Sequence, residues 1–182
     1  MSWFEGKIRE LGPVNCTELT AMVERTSKAV WTAQSFRQDH YAVHHQTRSL
    51  IFRFLTGDGL EGVDQPPWLA WKSLVEPVIA QAVESYGYRQ GRCARIMLAN
   101  LPAGSSISPH RDVGESFART HRLHVPLLTH PEVCFELDGE PFHLAQGHAY
   151  EINNLLSHGV TNPGPGDRVH LIFDYYEAYE QT

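Results

Sequence analysis

The chain predicts a mainly β protein, an antiparallel barrel of jelly-roll or cupin type with helices packed on its outside. Three observations carry that expectation. Short alternating apolar segments recur through the second half at intervals of roughly 8–15 residues, the rhythm of a sandwich or barrel. Asp138-Gly139 stands between two alternating arms in VCFELDGEPFHL, the strongest short-range hairpin signal. Helical periodicity is concentrated in the first half, and an exposed sheet face needs a covering layer.

Taken in order, Leu19, Met22, Val23 and Val30 share a helical face, with Thr17 as a possible cap. Residues 41–55 end in an apolar run that predicts a strand, and GDGLEGVDQPP (57–67) predicts a loop. Trp68, Trp71, Leu74, Val75, Val78, Ile79, Ala82 and Val83 then follow a helical period up to Gly87, a plausible C-cap. Pro77 is expected to kink this helix or to start a second one. Strands are predicted at 92–99, 122–128, 133–144, 148–152 and 168–176, with a tight connection at 162–167. The expected organisation is a single domain over 1–182. Residues 1–90 form its mainly helical part and 91–177 the β core that carries the site.

The 182 residues carry a formal charge of −6, and only Lys7, Lys28 and Lys72 are lysines. No basic stripe is present, which argues against nucleic-acid binding. No apolar run reaches the length of a membrane span. The start lacks a basic segment followed by an apolar one, and Cys16, Cys93 and Cys134 form neither a disulfide framework nor a CxxC motif. A cytoplasmic protein with no membrane partner is expected.

The chemistry concentrates in SSISPHRDVGESFARTHRLHVPL (105–127). His110 and Asp112 are two residues apart, so on a strand they point the same way. An imidazole and a carboxylate side by side offer two ligands to a divalent metal, and His158 in LLSHGVTN offers a third from a later strand. Two histidines and a carboxylate leave open positions on an octahedral ion, which suits non-haem Fe(II). A solvated loop pair is the plainer reading of His110 and Asp112. Arg168 shares a strand face with His170 and Ile172, while Val169, Leu171 and Phe173 share the other. An inward arginine needs a paired charge, and either a dicarboxylate ligand or a structural ion pair would supply it; a rim position is the other plain reading of Arg168. Segment 114–119 reads as a polar loop placed to act as a lid. His44 and His45 would face opposite ways on a strand, His121, His143 and His148 read as surface or hairpin positions, His130 as a turn residue, and Trp68 and Trp71 as core.

His110-x-Asp112, RLHVPL (122–127), His158-x-Val160-x-Asn162 and the run from Arg168 to Asp174 together resemble the aspartyl/asparaginyl β-hydroxylase family. The resemblance is dense over 92–176 and weaker at VHHQTRSLIFRF (43–54). It implies a double-stranded β-helix and an oxygenase dependent on Fe(II), 2-oxoglutarate and O2. It makes His110, Asp112 and His158 the iron ligands and Arg168 the partner of the distal 2-oxoglutarate carboxylate, with His124 at the other end of that co-substrate. Arg122 would face a substrate carboxylate, and Trp31, Gln34 and Arg37 would line the substrate mouth. The implied reaction couples decarboxylation of 2-oxoglutarate to succinate with hydroxylation of an unactivated C–H bond. The expected substrate is a small amino-acid-like, carboxylate-bearing molecule, free or carrier-bound. Two competing classes are another cupin-type metalloenzyme, an isomerase or cofactor-free dioxygenase, and a non-catalytic small-molecule-binding barrel.

Overall fold

The computed structural model describes residues 4–35, 42–57 and 59–178. In chain order its strands are β1 (Ile8–Pro13), β2 (Arg48–Leu55), β3 (Gly62–Asp64), β4 (Gly91–Leu101), β5 (Ser105–His110), β6 (His121–Leu128), β7 (Cys134–Leu137), β8 (Glu140–Phe142), β9 (His148–Ile152), β10 (His158–Asn162) and β11 (Arg168–Glu177). The helices are α1 (Thr17–Arg25), α2 (Lys28–Trp31), α3 (Trp68–Ala82) and α4 (Glu115–Ala118). A seven-stranded sheet runs β1-β9-β6-β11-β4-β2-β3, and a four-stranded sheet runs β5-β10-β7-β8. All pairings are antiparallel. No described helix is long and apolar enough to cross a membrane.

β11 fixes the layering. Val169, Leu171, Phe173 and Tyr175 lie in the main core with Leu19 and Val23 of α1 and Trp68, Trp71, Val75 and Val78 of α3. Helices therefore cover the outer face of the large sheet, as predicted. A second apolar cluster, including Leu101, Phe135, Leu137, Tyr150, Ile152 and Val160, joins the two sheets. The predicted hairpin is present: Asp138 (φ 51°) and Gly139 (φ 77°) form a two-residue turn between β7 and β8 with both residues left-handed, the conformation Asp-Gly favours.

The first 90 residues are less helical than expected. β1, β2 and β3 all join the large sheet; β3 lies within 57–67, where a loop is predicted, and β1 is not among the predicted strands. Its Ile8 and Leu11 are only half-buried, so its apolar pattern is faint, and pairing with β9 defines it. β2 begins at Arg48, because Ala42–His44 is a 3-10 turn. Pro77 neither ends nor splits α3, and it is exposed while Val75 and Val78 are buried.

One polar cluster ties the early strand to the barrel. Glu151 of β9, buried, accepts a hydrogen bond from His121 Nδ1 at 2.6 Å and forms an ion pair with Arg9 of β1. The Tyr88 hydroxyl lies 2.6 Å from His121 Nε2. His121 is thus a buried strand residue and not the surface one expected, because Glu151 and Tyr88 satisfy both ring nitrogens.

Burial by itself raises the Glu151 carboxyl; the hydrogen bond and charge of His121, with Tyr86 and Arg9, outweigh it and hold the group below its ordinary 4.5. A lowered folded-state pKa means the stabilisation is complete above 4.5 and is lost as pH falls through the folded value. Glu151→Gln should therefore destabilise the protein more at about pH 6 than at about pH 4. Urea unfolding of both proteins at the two pH values measures this; an equal difference at both would mean the carboxylate is not held in its ionised form.

Candidate active site

The inner face of the large sheet supplies one wall of the site. On β11, Arg168, His170, Ile172 and Asp174 alternate with the core residues, as the sequence period requires. Cross-strand neighbours extend each position into a row. Ile172 lies beside Met97 of β4 and His124 of β6, and Asp174 lies beside Arg95 of β4 and Arg122 of β6.

The small sheet supplies the facing wall. His110, the last residue of β5, and His158, the first of β10, are direct cross-strand partners, with ring centroids 4.4 Å apart. Gly159 permits this approach: a Cβ there would stand 3.0 Å from the Ile107 carbonyl oxygen. Asp112 lies just past the end of β5, its backbone N–H donating to Asn154 O at 3.1 Å. It joins the histidines from a loop, not from the strand face that the two-residue spacing suggested.

His110, Asp112 and His158 each offer a ligand atom, and these atoms all lie within 4.8 Å of one another. The surroundings suit a divalent ion. His110 Nδ1 donates to Ser108 O and His158 Nδ1 to Leu156 O, both at 2.9 Å, which leaves each Nε2 with its lone pair. Burial is the largest influence on Asp112 and would raise its carboxyl, but Arg122, His158, Asn154 and His110 together hold it below the usual carboxylate range. Burial leads the lowering of His158, which favours the neutral imidazole. A carboxylate and a neutral imidazole are the forms in which Asp112 and His158 would bind a metal.

Arg168 is 2 % exposed. Its Nη2 donates to His170 Nδ1 at 2.6 Å, its Nε has no hydrogen-bond partner, and no carboxylate pairs with it among the described residues. Burial pushes it down to about 9. Of the two pairings open from sequence, the structural one is not made. Arg168, His124, His158, Phe135 and Val160 border a narrow chamber, and His124 Nδ1 lies 3.4 Å from His170 Nδ1. Residues that could hold an iron ion and a dicarboxylate therefore border the same chamber.

A wider cavity of ≈ 370 Å³ adjoins it, lined by Phe54, Met97, Phe117 and Ile172 and by Arg95, Arg111 and Arg122. Arg122 reaches this wall as expected, but its charge is already met. Nε and Nη2 donate to the two Asp174 oxygens at 2.8 and 2.9 Å, and Nη1 donates to Asp112 Oδ2. Arg122 is thus a bracket for Asp112, not a free anchor for a substrate carboxylate. Trp31 is 4 % exposed in the main core, because α2 packs it among the residues beneath β2. Gln34 Oε1 accepts the Ile51 N–H at 2.7 Å, spending that oxygen on β2. Neither lines the cavity or the chamber. Arg37 lies outside the described residues.

Several contributors went unforeseen. His44 lines both spaces and sets its ring edge-on to His110, 5.5 Å between centroids. Asn154 Nδ2 donates to Asp112 Oδ2 at 3.1 Å. Asp174 could have been found by taking the Arg168-His170-Ile172 alternation one step further.

Residues 70–178 match the family described as Aspartyl/Asparaginyl beta-hydroxylase. No curated protein matches the chain. Among solved structures, the viral collagen prolyl hydroxylase of Paramecium bursaria Chlorella virus-1, in complex with 2-oxoglutarate, is similar with TM-score 0.57 and 9% identity over 96% of this chain and 98% of that one. A 2OG-Fe(II) oxygenase family oxidoreductase from Burkholderia pseudomallei gives TM-score 0.53 and 13% identity over 97% and 93%. HygX from Streptomyces hygroscopicus, with nickel, 2-oxoglutarate and hygromycin B bound, gives TM-score 0.53 and 14% identity over 94% and 83%. At these identities the likeness is one of fold.

If Asp112 is a metal ligand, Asp112→Ala should weaken Fe(II) binding by more than the ~10–100-fold that losing an outer partner of a metal site costs. Anaerobic Fe(II) titration measures it, and an affinity equal to wild type would remove Asp112 from the ligand set.

Proposed function

Because the chain belongs to the aspartyl/asparaginyl β-hydroxylase family and is a 2-oxoglutarate-dependent oxygenase, we propose that it hydroxylates an unactivated C–H bond of a small, amino-acid-like, carboxylate-bearing molecule, free or carrier-bound. The observation that carries the reading is the juxtaposition of two unmet demands within one chamber. His110, Asp112 and His158 converge as ligands do, and Arg168 is a buried cation without a carboxylate partner among the described residues.

In this reading His110, Asp112 and His158 hold Fe(II), and Arg168 grips the distal carboxylate of 2-oxoglutarate with paired N–H groups. Fe(II), 2-oxoglutarate and O2 supply the oxidising chemistry, yielding succinate, CO2 and one oxygen atom for the substrate. The chain's own part is positioning. Arg122 and Asn154 orient the Asp112 carboxylate, and the backbone carbonyls of Ser108 and Leu156 orient the two imidazoles. His124 borders the chamber where the near end of the co-substrate would lie. The apolar lining of the wider cavity from Phe54, Met97, Phe117 and Ile172 excludes water from the carbon to be oxidised.

The cavity also bears on the substrate. Arg95 and Arg122 are both closed onto Asp174, which leaves Arg111, exposed and without a described carboxylate partner, as the remaining arginine on that wall. A carboxylate-bearing molecule would put its anionic end on Arg111 and its apolar body among the four apolar side chains.

The test is succinate formation across a panel of amino acids and their derivatives, with product mass checked for one added oxygen. Succinate should require both Fe(II) and 2-oxoglutarate; formation without either, or none with any substrate and no slow substrate-free turnover, would sink the reading. Arg168→Lys, which cannot copy the guanidinium fork, should raise the 2-oxoglutarate requirement roughly ten- to a hundred-fold while Fe(II) binding persists. An unchanged 2-oxoglutarate curve would make Arg168 structural. Arg111→Gln should raise KM several-fold for carboxylate substrates only, because an exposed pair is worth less than a buried one; an equal change for amides would remove Arg111 as the anchor.

A further inference from the structure

Asp174 is fully buried at the centre of an ionic chain that runs from the loop after β5 to the short helix α4. On one side Arg122 grips both of its oxygens, through Nε and Nη2, and donates from Nη1 to Asp112. On the other side Arg95 Nη1 donates to Asp174 Oδ2 at 2.9 Å, and Arg95 Nη2 donates to Ser116 Oγ at 2.8 Å. Phe117, the next residue of α4, takes both guanidinium groups against its ring, Arg95 at 4.2 Å and Arg122 at 4.8 Å from the centroid. The order is therefore Asp112–Arg122–Asp174–Arg95–Ser116, with Phe117 closing the gap between the two arginines.

The rigidity of this chain comes from the sheet. Arg95, Asp174 and Arg122 are cross-strand neighbours on three adjacent strands, so their backbones cannot move apart without breaking the ladder. A guanidinium held at two points by one carboxylate is fixed in plane, and its remaining donors point in set directions. What is free to adjust lies at the two ends: the loop that carries Asp112, and α4 with Ser116 and Phe117, which lie on the cavity wall.

We propose that Asp174 is a positioning residue that couples the two ends, holding Asp112 in ligand geometry through Arg122 and holding α4 over the cavity through Arg95. This rests on the reading of Asp112 as a metal ligand. A metal that draws on Asp112 changes the load on Arg122, and the shared carboxylate passes that change to Arg95, Ser116 and Phe117. Linkage makes the coupling reciprocal: whatever orders α4 tightens the metal site, and whatever fills the metal site orders α4. A segment that shields the substrate cavity is then steadied when the metal site is loaded.

The experiment uses Co(II), whose visible absorption reports its coordination, and hydrogen exchange at residues 115–118, with no turnover required. In the wild type, Co(II) should slow exchange in α4. Asp174→Asn should weaken Co(II) binding about ten-fold, the lower end of what losing a direct partner of a metal ligand costs, because Asp174 reaches Asp112 only through Arg122; it should also shift the absorption spectrum and abolish the slowing in α4. Ser116→Ala cuts only the outer end, away from the core, so it keeps the Co(II) spectrum while losing most of the slowing. This variant keeps the coupling testable if Asp174→Asn does not fold. Wild-type Co(II) affinity and spectrum in Asp174→Asn, or equal slowing in wild type and Ser116→Ala, would overturn the proposal. A wild type that binds no Co(II) would overturn the metal reading and this coupling together, whereas bound Co(II) without any response in α4 would overturn the coupling alone.

Discussion

β11 is buried on both faces along nearly its whole length, yet four alternate positions toward the small sheet read Arg, His, Ile, Asp. A central strand in this position would ordinarily be apolar on both sides. Each buried polar group must instead be answered by something, and the answers define the interior. Asp174 is answered twice, by arginines on both neighbouring strands. His170 Nδ1 is answered by Arg168, while its Nε2 has no hydrogen-bond partner among the described residues. Arg168 has no carboxylate among the described residues, and burial alone moves its pKa. The contrast on a single strand separates a charge that the protein closes on itself from one that needs a ligand.

The same contrast explains why the two inward arginines differ in kind. Arg122 and Arg168 look alike in sequence, each followed at two positions by a histidine. Their surroundings are opposite. Arg122 has carboxylates on either side, so burial is offset and its charge is secured. Arg168 sits among His124, Phe135, Ile172 and Val160, none of which can neutralise it. Side-chain type could not tell the two apart, because the deciding residues, Asp174 and Asp112, reach Arg122 through strand register and loop geometry.

Much of the architecture was legible because local chemistry and tertiary need agree. Asp138-Gly139 has few alternatives to a tight turn, and the alternation on β11 sorts core from interior residue by residue. The convergence of His110, Asp112 and His158 was legible in outline, but not the register that sets His110 opposite His158. Reading failed where pairing partners decide. β1 is half-exposed and charged, so only β9 makes it a strand. Trp31 and Gln34 carried no periodic signal, and their places in the core and on a backbone amide follow from how α2 meets β2. His44 precedes the apolar run that predicts a strand, and the turn at Ala42–His44 is what brings its ring to His110.

The margins of the two sheets share a property. β1 ends in Pro13, with a pairing irregularity at Gly12. β5 carries Pro109 and β8 carries Pro141, while β3 is only three residues long. Each outermost strand is thus interrupted by a residue that cannot donate, or is too short to template a neighbour. A long, regular row of free N–H and C=O groups is missing from every described border. Lateral accretion of copies, strand against strand, therefore finds little to grow on, even though strands outnumber helices in this chain.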